Sequence, residues 1–249
     1  MSAADLTRDV FLGGRLVIAQ PRVGYRAATD PILLAAAVAA RSGQAVLELG
    51  CGAGVALLAL GRRVPGLSLH GVERQPLYAD LARRNAAENR LEAQIETADL
   101  TALPTVLKRG FDHVLINPPY YPASAPAAAD PGRAQALREE TPLAQWIEVA
   151  LRRLVPGGHL TAIHRAERLP EILAALAPGA GSIAVRPLTA RQGRPAGRVL
   201  VQARKGTKGA FRLLAPLIMH DGERHERDGD DFSAAAQAIL RDGQALSWT

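Results

Sequence analysis

The sequence predicts an α/β fold, a mostly parallel sheet with helices packed on it. Three observations carry that reading. From Gln44 onward, short apolar runs of strand length alternate with longer amphipathic segments. The first run leads directly into a glycine turn, Gly50-Cys51-Gly52-Ala53-Gly54, and then an apolar helical stretch, Val55 to Leu60. The next two runs each end in a carboxylate, Glu73 and then Asp99.

The elements follow in order. Residues 1–41 should supply a strand and a helix. Thr29 or Asp30 suits the helix N-cap, where a short side-chain oxygen accepts from free N–H groups. Gln44 to Leu49 reads as a buried strand, with Val46, Leu47 and Leu49 apolar. Leu67 to Val72 is a second strand ending in Glu73. Pro76 to Asn89 is a helix, and Gln94 to Ala98 is a strand ending in Asp99. The apolar strand Asp112 to Ile116 opens onto Asn117-Pro118-Pro119-Tyr120. The alanine- and proline-rich loop from Tyr121 to Thr141 is expected to stay mobile until substrate arrives. Trp146 to Leu154 reads as a helix stopped by Pro156-Gly157-Gly158, then His159 to Ile163 as a strand. Glu167 to Leu176 is a helix stopped by Pro178-Gly179. Ser182 to Leu188 and Arg198 to Ala203 are the last paired strands, joined by a basic hairpin, Thr189 to Gly197. Phe232 to Leu240 is the final helix. A chain of this length with 48% hydrophobic residues can bury one large core. One domain is expected, with residues 42–205 as its centre and 206–249 adding a strand and a helix.

Strand, glycine turn and helix is the arrangement that lets a backbone approach a nucleotide closely. The dinucleotide fingerprint places a third glycine where Val55 stands, so the NAD pattern is not met. A carboxylate at the Glu73 position can accept from two ribose hydroxyls. Asp99, on the same rim, can accept from an adenine amine. Taken singly, either acid also suits a solvated strand end.

The tetrapeptide carries the chemistry. Pro118 and Pro119 stiffen the loop and remove two N–H donors. An edge of acceptors remains, the Asn117 side-chain oxygen and a backbone carbonyl beside it, and Tyr120 adds an aromatic face. Stacking on such a face holds a base by about 1–3 kcal/mol. The edge suits a planar nitrogen with two N–H bonds, either an exocyclic amine or a side-chain amide. That lone pair is delocalised, so the nitrogen is a poor nucleophile. Fixed acceptors for both N–H bonds favour its pyramidal, reactive form and stabilise charge that appears only as reaction proceeds.

The segment Leu47-Glu48-Leu49-Gly50-Cys51-Gly52-Ala53-Gly54, with Glu73, Asp99 and Asn117-Pro118-Pro119-Tyr120, resembles a class I S-adenosylmethionine-dependent methyltransferase. The tetrapeptide is similar to that of the amino-methylating branch. Gly14-Arg15-Leu16, Gln20-Pro21, Gly24-Tyr25-Arg26, Thr29-Asp30-Pro31-Ile32-Leu33-Leu34-Ala35 and the second tyrosine, Tyr121, narrow the resemblance to the bacterial tRNA(Val) adenine-N6 methyltransferases. The resemblance implies a Rossmann-like seven-stranded sheet flanked by helices, with its last strand antiparallel. It implies S-adenosylmethionine held by Glu48, Gly50, Gly52, Gly54, Glu73 and Asp99. Thr29 and Asp30 would begin a helix closing over its methionine end, and Asn117 would also face it. Asn117 to Tyr120 would hold the target base and catalyse transfer. Tyr121, Arg191, Arg194 and Arg198 are candidates for RNA contact. Two other readings stand beside this one. One is a HemK-like glutamine methyltransferase using the same tetrapeptide, although no separate N-terminal helical domain like that family's is evident. The other is a non-catalytic RNA-binding protein of the same fold.

Composition bounds the rest. The chain carries +6 with a sequence pI near 10.1. From Ile172 to His220 it holds no acid but has Arg186, Arg191, Arg194, Arg198, Arg204, Lys205, Lys208 and Arg212. Such a one-signed stretch attracts a phosphate backbone and points to a nucleic-acid partner; the resemblance implies that this partner is RNA, and tRNA in particular. The longest apolar run, Pro31 to Ala40, is too short to span a bilayer. One cysteine, Cys51, rules out an internal disulfide and fits a reducing cytosol. The six histidines show no metal-ligand spacing, and no metal is expected. A monomer is the favoured state.

Overall fold

The computed structural model describes residues 5–122, 138–139, 141–222 and 231–249. An antiparallel hairpin, β1 (Leu6–Phe11) with β2 (Leu16–Pro21), precedes helix α1 (Asp30–Ala37). Three strand–helix units follow: β3 (Ala45–Leu49) and α2 (Val55–Arg63), then β4 (Ser68–Glu73) and α3 (Pro76–Glu88), then β5 (Ala93–Thr97) with a short 3-10 turn, Leu100–Ala102. β6 (Phe111–Ile116) ends at the tetrapeptide. Two-residue strands β7 (Tyr121–Pro122) and β8 (Arg138–Glu139) pair beyond it. Helix α4 (Leu143–Arg153), β9 (Leu154–Arg165), α5 (Leu169–Leu176), β10 (Ala180–Thr189) and β11 (Ala196–Lys205) complete the core. Two more short strands, β12 (Arg212–Leu213) and β13 (Leu217–Ile218), and α6 (Ala234–Leu240) follow.

The main sheet runs β5-β4-β3-β6-β9-β11-β10, with β12 and β13 each adding two residues alongside β10. Neighbours from β5 to β9 are parallel, and β11 runs against both β9 and β10. The seven-stranded order with its last long strand reversed is therefore present. Among the described residues no helix is long and apolar enough to cross a membrane.

Side chains of the central strands alternate between two cores, as a sheet covered on both faces requires. Val46 and Leu115 pack with α1, α2 and α3, and Leu47, Leu49, Val114 and Ile116 pack with α4 and α5. From β3 the chain turns outward to β4 and β5, then returns to β6 on the other side of β3. That reversal opens a crevice at the strand ends, where the glycine turn and Asn117 both lie.

Two elements differ from expectation. The N-terminal segment holds two strands rather than one. The outer edge of β2 is closed by side chains instead of a third strand. Asn85 Oδ1 accepts from Ala19 N–H (2.8 Å), and its Nδ2 donates to the carbonyls of Ala19 and Ala53. Asn89 repeats the pattern on Val17. Both asparagines are buried, Asn85 on α3 and Asn89 at its C-terminal cap, so their hydrogen bonding avoids the cost of unpaired amides. The Pro-Gly-Gly sequence, expected to precede the fifth strand, lies inside β9, which begins at Leu154. The register with β6 shifts between Phe111 and His113, and Gly157 takes φ +77°, so this segment is a bulge.

Candidate active site

The crevice is walled by Glu48, Gly50 and Gly52 from the β3 turn, Glu73 from β4, Asp99 from β5 and Asn117 to Tyr120 from β6. Tyr25 and Trp146 also reach it. Glycine is required at position 50. Its φ is +65°, and a Cβ there would stand 2.5 Å from the Trp146 ring. Gly54 lies outside the wall; it lets α2 approach α3, with Ala82 and Leu58 3.3 Å from where its Cβ would be.

Each acid has a defined setting. Glu73 accepts from Gly52 N–H (2.9 Å) on one oxygen and Gln75 N–H (2.8 Å) on the other. Its carboxylate plane is thereby fixed, and each oxygen keeps lone pairs for a ligand hydroxyl. Burial raises its pKa, and these two N–H donors oppose the rise. Glu48 is 3% exposed and accepts from Leu57 N–H (2.8 Å) in the first turn of α2. Burial pushes its carboxyl up to about 8. Asp99 caps its 3-10 turn through Oδ1, accepting from the N–H and hydroxyl of Thr101. The hydroxyl bond holds its pKa below the ordinary value, so a charged oxygen stays on the rim.

At the tetrapeptide, Asn117 Oδ1 is buried with no hydrogen-bond partner among the described residues. Native structures pair nearly all such atoms, so an orphan on a crevice wall marks a place for a donor. The Asn117 side chain neighbours Tyr25 and favours its ionised form, but burial outweighs this and holds the hydroxyl well above its usual pKa. Pro119 O accepts from His164 Nε2 (3.3 Å), and the Tyr120 and His164 rings meet edge-on at 5.3 Å. Burial lowers the His164 pKa to about 4, so the ring is neutral at physiological pH.

The structure redistributes several expected roles. Thr29 and Asp30 stand outside the crevice wall. Thr29 makes no side-chain cap bond to α1. Asp30 accepts from the Tyr120 hydroxyl and pairs with Arg198. Arg191 pairs with Asp231 and donates to the Asp221 and Gly222 carbonyls. Arg186, Arg204 and Lys205 likewise donate to backbone carbonyls. Most cations of the acid-free stretch are therefore internal ties, because their partners lie elsewhere in the chain. Arg194 is exposed at the β10–β11 hairpin. The Tyr121 side chain and most of the loop expected to be mobile, 123–137 and 140, lie outside the described residues.

Sequence reasoning gave no role to Trp146 or His164. Tyr25 had only its place in an N-terminal stretch as a signal. That loop is pinned by Gln20, which bonds both the N–H and the carbonyl of Ala27, and by a two-pronged Arg26–Asp9 pair. Cys51 is buried, as a packing role requires. Among the described residues no group of three or more His, Cys, Asp or Glu is placed to hold a metal.

Similarity to known proteins agrees with this geometry. The family model of the methyltransferase small domain matches residues 27–176. A tRNA1(Val) (adenine(37)-N6)-methyltransferase of Porphyromonas gingivalis is 33% identical over 174 residues, covering 66% of this chain and 68% of its own. The protein of that name from Dickeya chrysanthemi is 29% identical over 242 residues, 93% of this chain and 92% of its own. The crystal structure of a predicted O-methyltransferase from Agrobacterium tumefaciens matches with a TM-score of 0.70 at 28% identity, covering 87% of this chain and 98% of that one. A crevice between β3 and β6, a glycine turn, two strand-tip acids and matches of this extent have one common source: the chain belongs to the methyltransferase small domain family.

Proposed function

We propose that this protein methylates the exocyclic N6 amine of an adenine in RNA, using S-adenosylmethionine, and that its substrate is tRNA(Val) at the adenosine beside the anticodon. The observation that carries the reaction is the orphaned Asn117 Oδ1 on the crevice wall. The tRNA assignment is supported by the activity for which the Porphyromonas gingivalis and Dickeya chrysanthemi relatives are named.

The residues fit the cofactor. Glu48 offers a buried carboxyl to an ammonium, Glu73 offers two fixed oxygens to ribose hydroxyls, and Asp99 offers an anionic acceptor to an adenine amine. Gly50 keeps space open that a side chain would fill. Bound there, S-adenosylmethionine supplies an electrophilic methyl carbon on a sulfonium. The protein's own residues hold and orient the acceptor. Asn117 takes an N–H of the amine, and the ring of Tyr120 offers a stacking face. Tyr25 and Tyr120 keep their protons because burial raises both pKa values, and His164 faces away against Pro119 O. No strong base is needed: the amine sheds its proton to water after the new N–C bond has formed. The work is positioning and charge stabilisation.

Glu73→Ala should weaken cofactor binding directly, by about 10-fold or more, since two ribose hydrogen bonds and the anchor for Gly52 are lost together. An unchanged calorimetric dissociation constant would remove Glu73 from the cofactor site. The RNA surface is testable by salt titration. Arg194→Gln should flatten the dependence of log K on log salt by roughly one phosphate contact. Arg191→Gln should instead lower stability and leave the slope alone, because its guanidinium is already paired. A slope indifferent to Arg194 places the RNA elsewhere. The acceptor itself is tested by incubating the enzyme with labelled cofactor and, separately, total tRNA, ribosomal RNA and release factor. Label recovered as N6-methyladenosine from tRNA is the expected result. Label in release factor would replace it with the glutamine reading.

A further inference from the structure

We propose that Asp30 is a positioning residue for Tyr120, locked in place by Arg198, and that His164 braces the same loop from its other side. The inference rests on the methyl-transfer reading and deepens it.

Four contacts carry it. The Tyr120 hydroxyl donates to Asp30 Oδ2, and Arg198 Nη1 pairs with Asp30 Oδ1. His164 Nε2 donates to Pro119 O at 3.3 Å, and its ring meets Tyr120 at 5.3 Å with planes 62° apart. The braces arrive from three elements, α1, β9 and β11. His164 and Val199 are register partners, so Arg198 and His164 stand on adjacent paired strands. Asp30, Arg198 and His164 are all absent from the crevice wall. Asp30 and His164 touch the loop, and Arg198 touches Asp30, from outside the space where substrate would sit.

The loop chemistry requires such a device. With prolines at 118 and 119, the loop has no N–H at two successive positions and cannot tie itself down by backbone donation there. It must be fixed through what it still offers, and both the Pro119 carbonyl and the Tyr120 hydroxyl are so used. An isolated carboxylate at Asp30, whose side chain is 13% exposed, would be costly, and Arg198 supplies the opposite charge. The same carboxylate is on the first residue of α1, so the placement of that helix and the pose of the Tyr120 ring are mechanically linked.

The test is a double-mutant cycle between Asp30→Asn and Tyr120→Phe, read in two ways. In methyl transfer to RNA, each single variant should lose about 10- to 100-fold in kcat, as misplacement by about an ångström does. The double variant should fall no further than the worse single. Asp30→Asn should bind S-adenosylhomocysteine with the wild-type dissociation constant. Arg198→Met should reproduce Asp30→Asn, and Arg198→Lys should restore part of the loss. In denaturant unfolding, the cycle should again be non-additive. Wild-type kcat in both singles, or additive effects in the double, would overturn the proposal. So would an Asp30→Asn loss of cofactor affinity as large as its loss of kcat, which would return Asp30 to the cofactor site. If the wild-type protein binds S-adenosylhomocysteine but methylates no RNA, the proposed reaction fails. The brace is then decided by unfolding alone: non-additivity upholds it and additivity ends it.

Discussion

Asn117→Ala should cut methyl transfer by 100-fold or more, on the order of 3 kcal/mol of transition-state stabilisation, while leaving the cofactor dissociation constant nearly unchanged. In the proposed reaction the amine donates to the Asn117 Oδ1, an acceptor with no hydrogen-bond partner among the described residues. That bond strengthens as the nitrogen becomes pyramidal and positive, so its loss falls on kcat. The same substitution should cost little stability. A buried carbonyl without a partner is itself unfavourable by about 1–3 kcal/mol, and alanine removes that burden along with the side chain's contacts. Single-turnover assays and unfolding midpoints measured on one preparation separate the two effects. Near-normal turnover would take Asn117 out of the mechanism, and a collapse in stability would make its role structural.

The parts of the site that were legible in the sequence share one property: their geometry is local. The glycine turn directly follows β3, Glu73 ends β4, Asp99 follows β5, and Asn117 follows β6. Apolar period and turn chemistry fix each of these over a few residues, and the sheet order then gathers them. What stayed hidden depends on pairing across distance. Asp30 meets Arg198 168 positions away, and Arg191 meets Asp231 across 40. Composition registers the arginines as free charge because it counts residues without their partners. The β1–β2 hairpin was half-seen for the same reason. The edge of β2 is satisfied by Asn85 and Asn89, 66 to 72 residues downstream, and nothing in β2 announces them. His164 was invisible as one of six scattered histidines. Only the fold of β9 behind the tetrapeptide gives it a role.

Those buried histidines also set how stability should respond to pH, with a maximum near pH 6.5. His113 and His164 are 2% and 1% exposed, and burial lowers both to about 4 from an ordinary 6.5. Above pH 6.5 each is neutral whether folded or unfolded, so neither contributes a slope. As pH falls from 6.5 toward 4, the unfolded chain takes up protons that the folded one refuses. Each histidine then costs about 1.4 kcal/mol per pH unit. Glu48 works in the opposite direction. Its folded pKa of about 8 lies above the ordinary 4.5, so it favours the folded state increasingly as pH falls from 8 to 4.5. Between 6.5 and 4.5 two protons on the histidine side oppose one on the glutamate side. The net loss is about 1.4 kcal/mol per unit, or about 3 kcal/mol across the window. Above 6.5 only the glutamate acts among these three, and stability declines toward pH 8 by about 2 kcal/mol. Burial lowers His70 and His159 as well, which steepens the acid limb, and it raises Glu73, which acts in the same direction as Glu48. Urea midpoints taken from pH 4 to 8.5 should trace the peak. Glu48→Gln should flatten the alkaline limb, and His164→Gln the acid limb in part. A midpoint that rises from 6.5 down to 4.5, as Glu48 alone would make it, would show that these rings are protonated inside the fold, and a neutral His164 behind Pro119 would have to be abandoned with it.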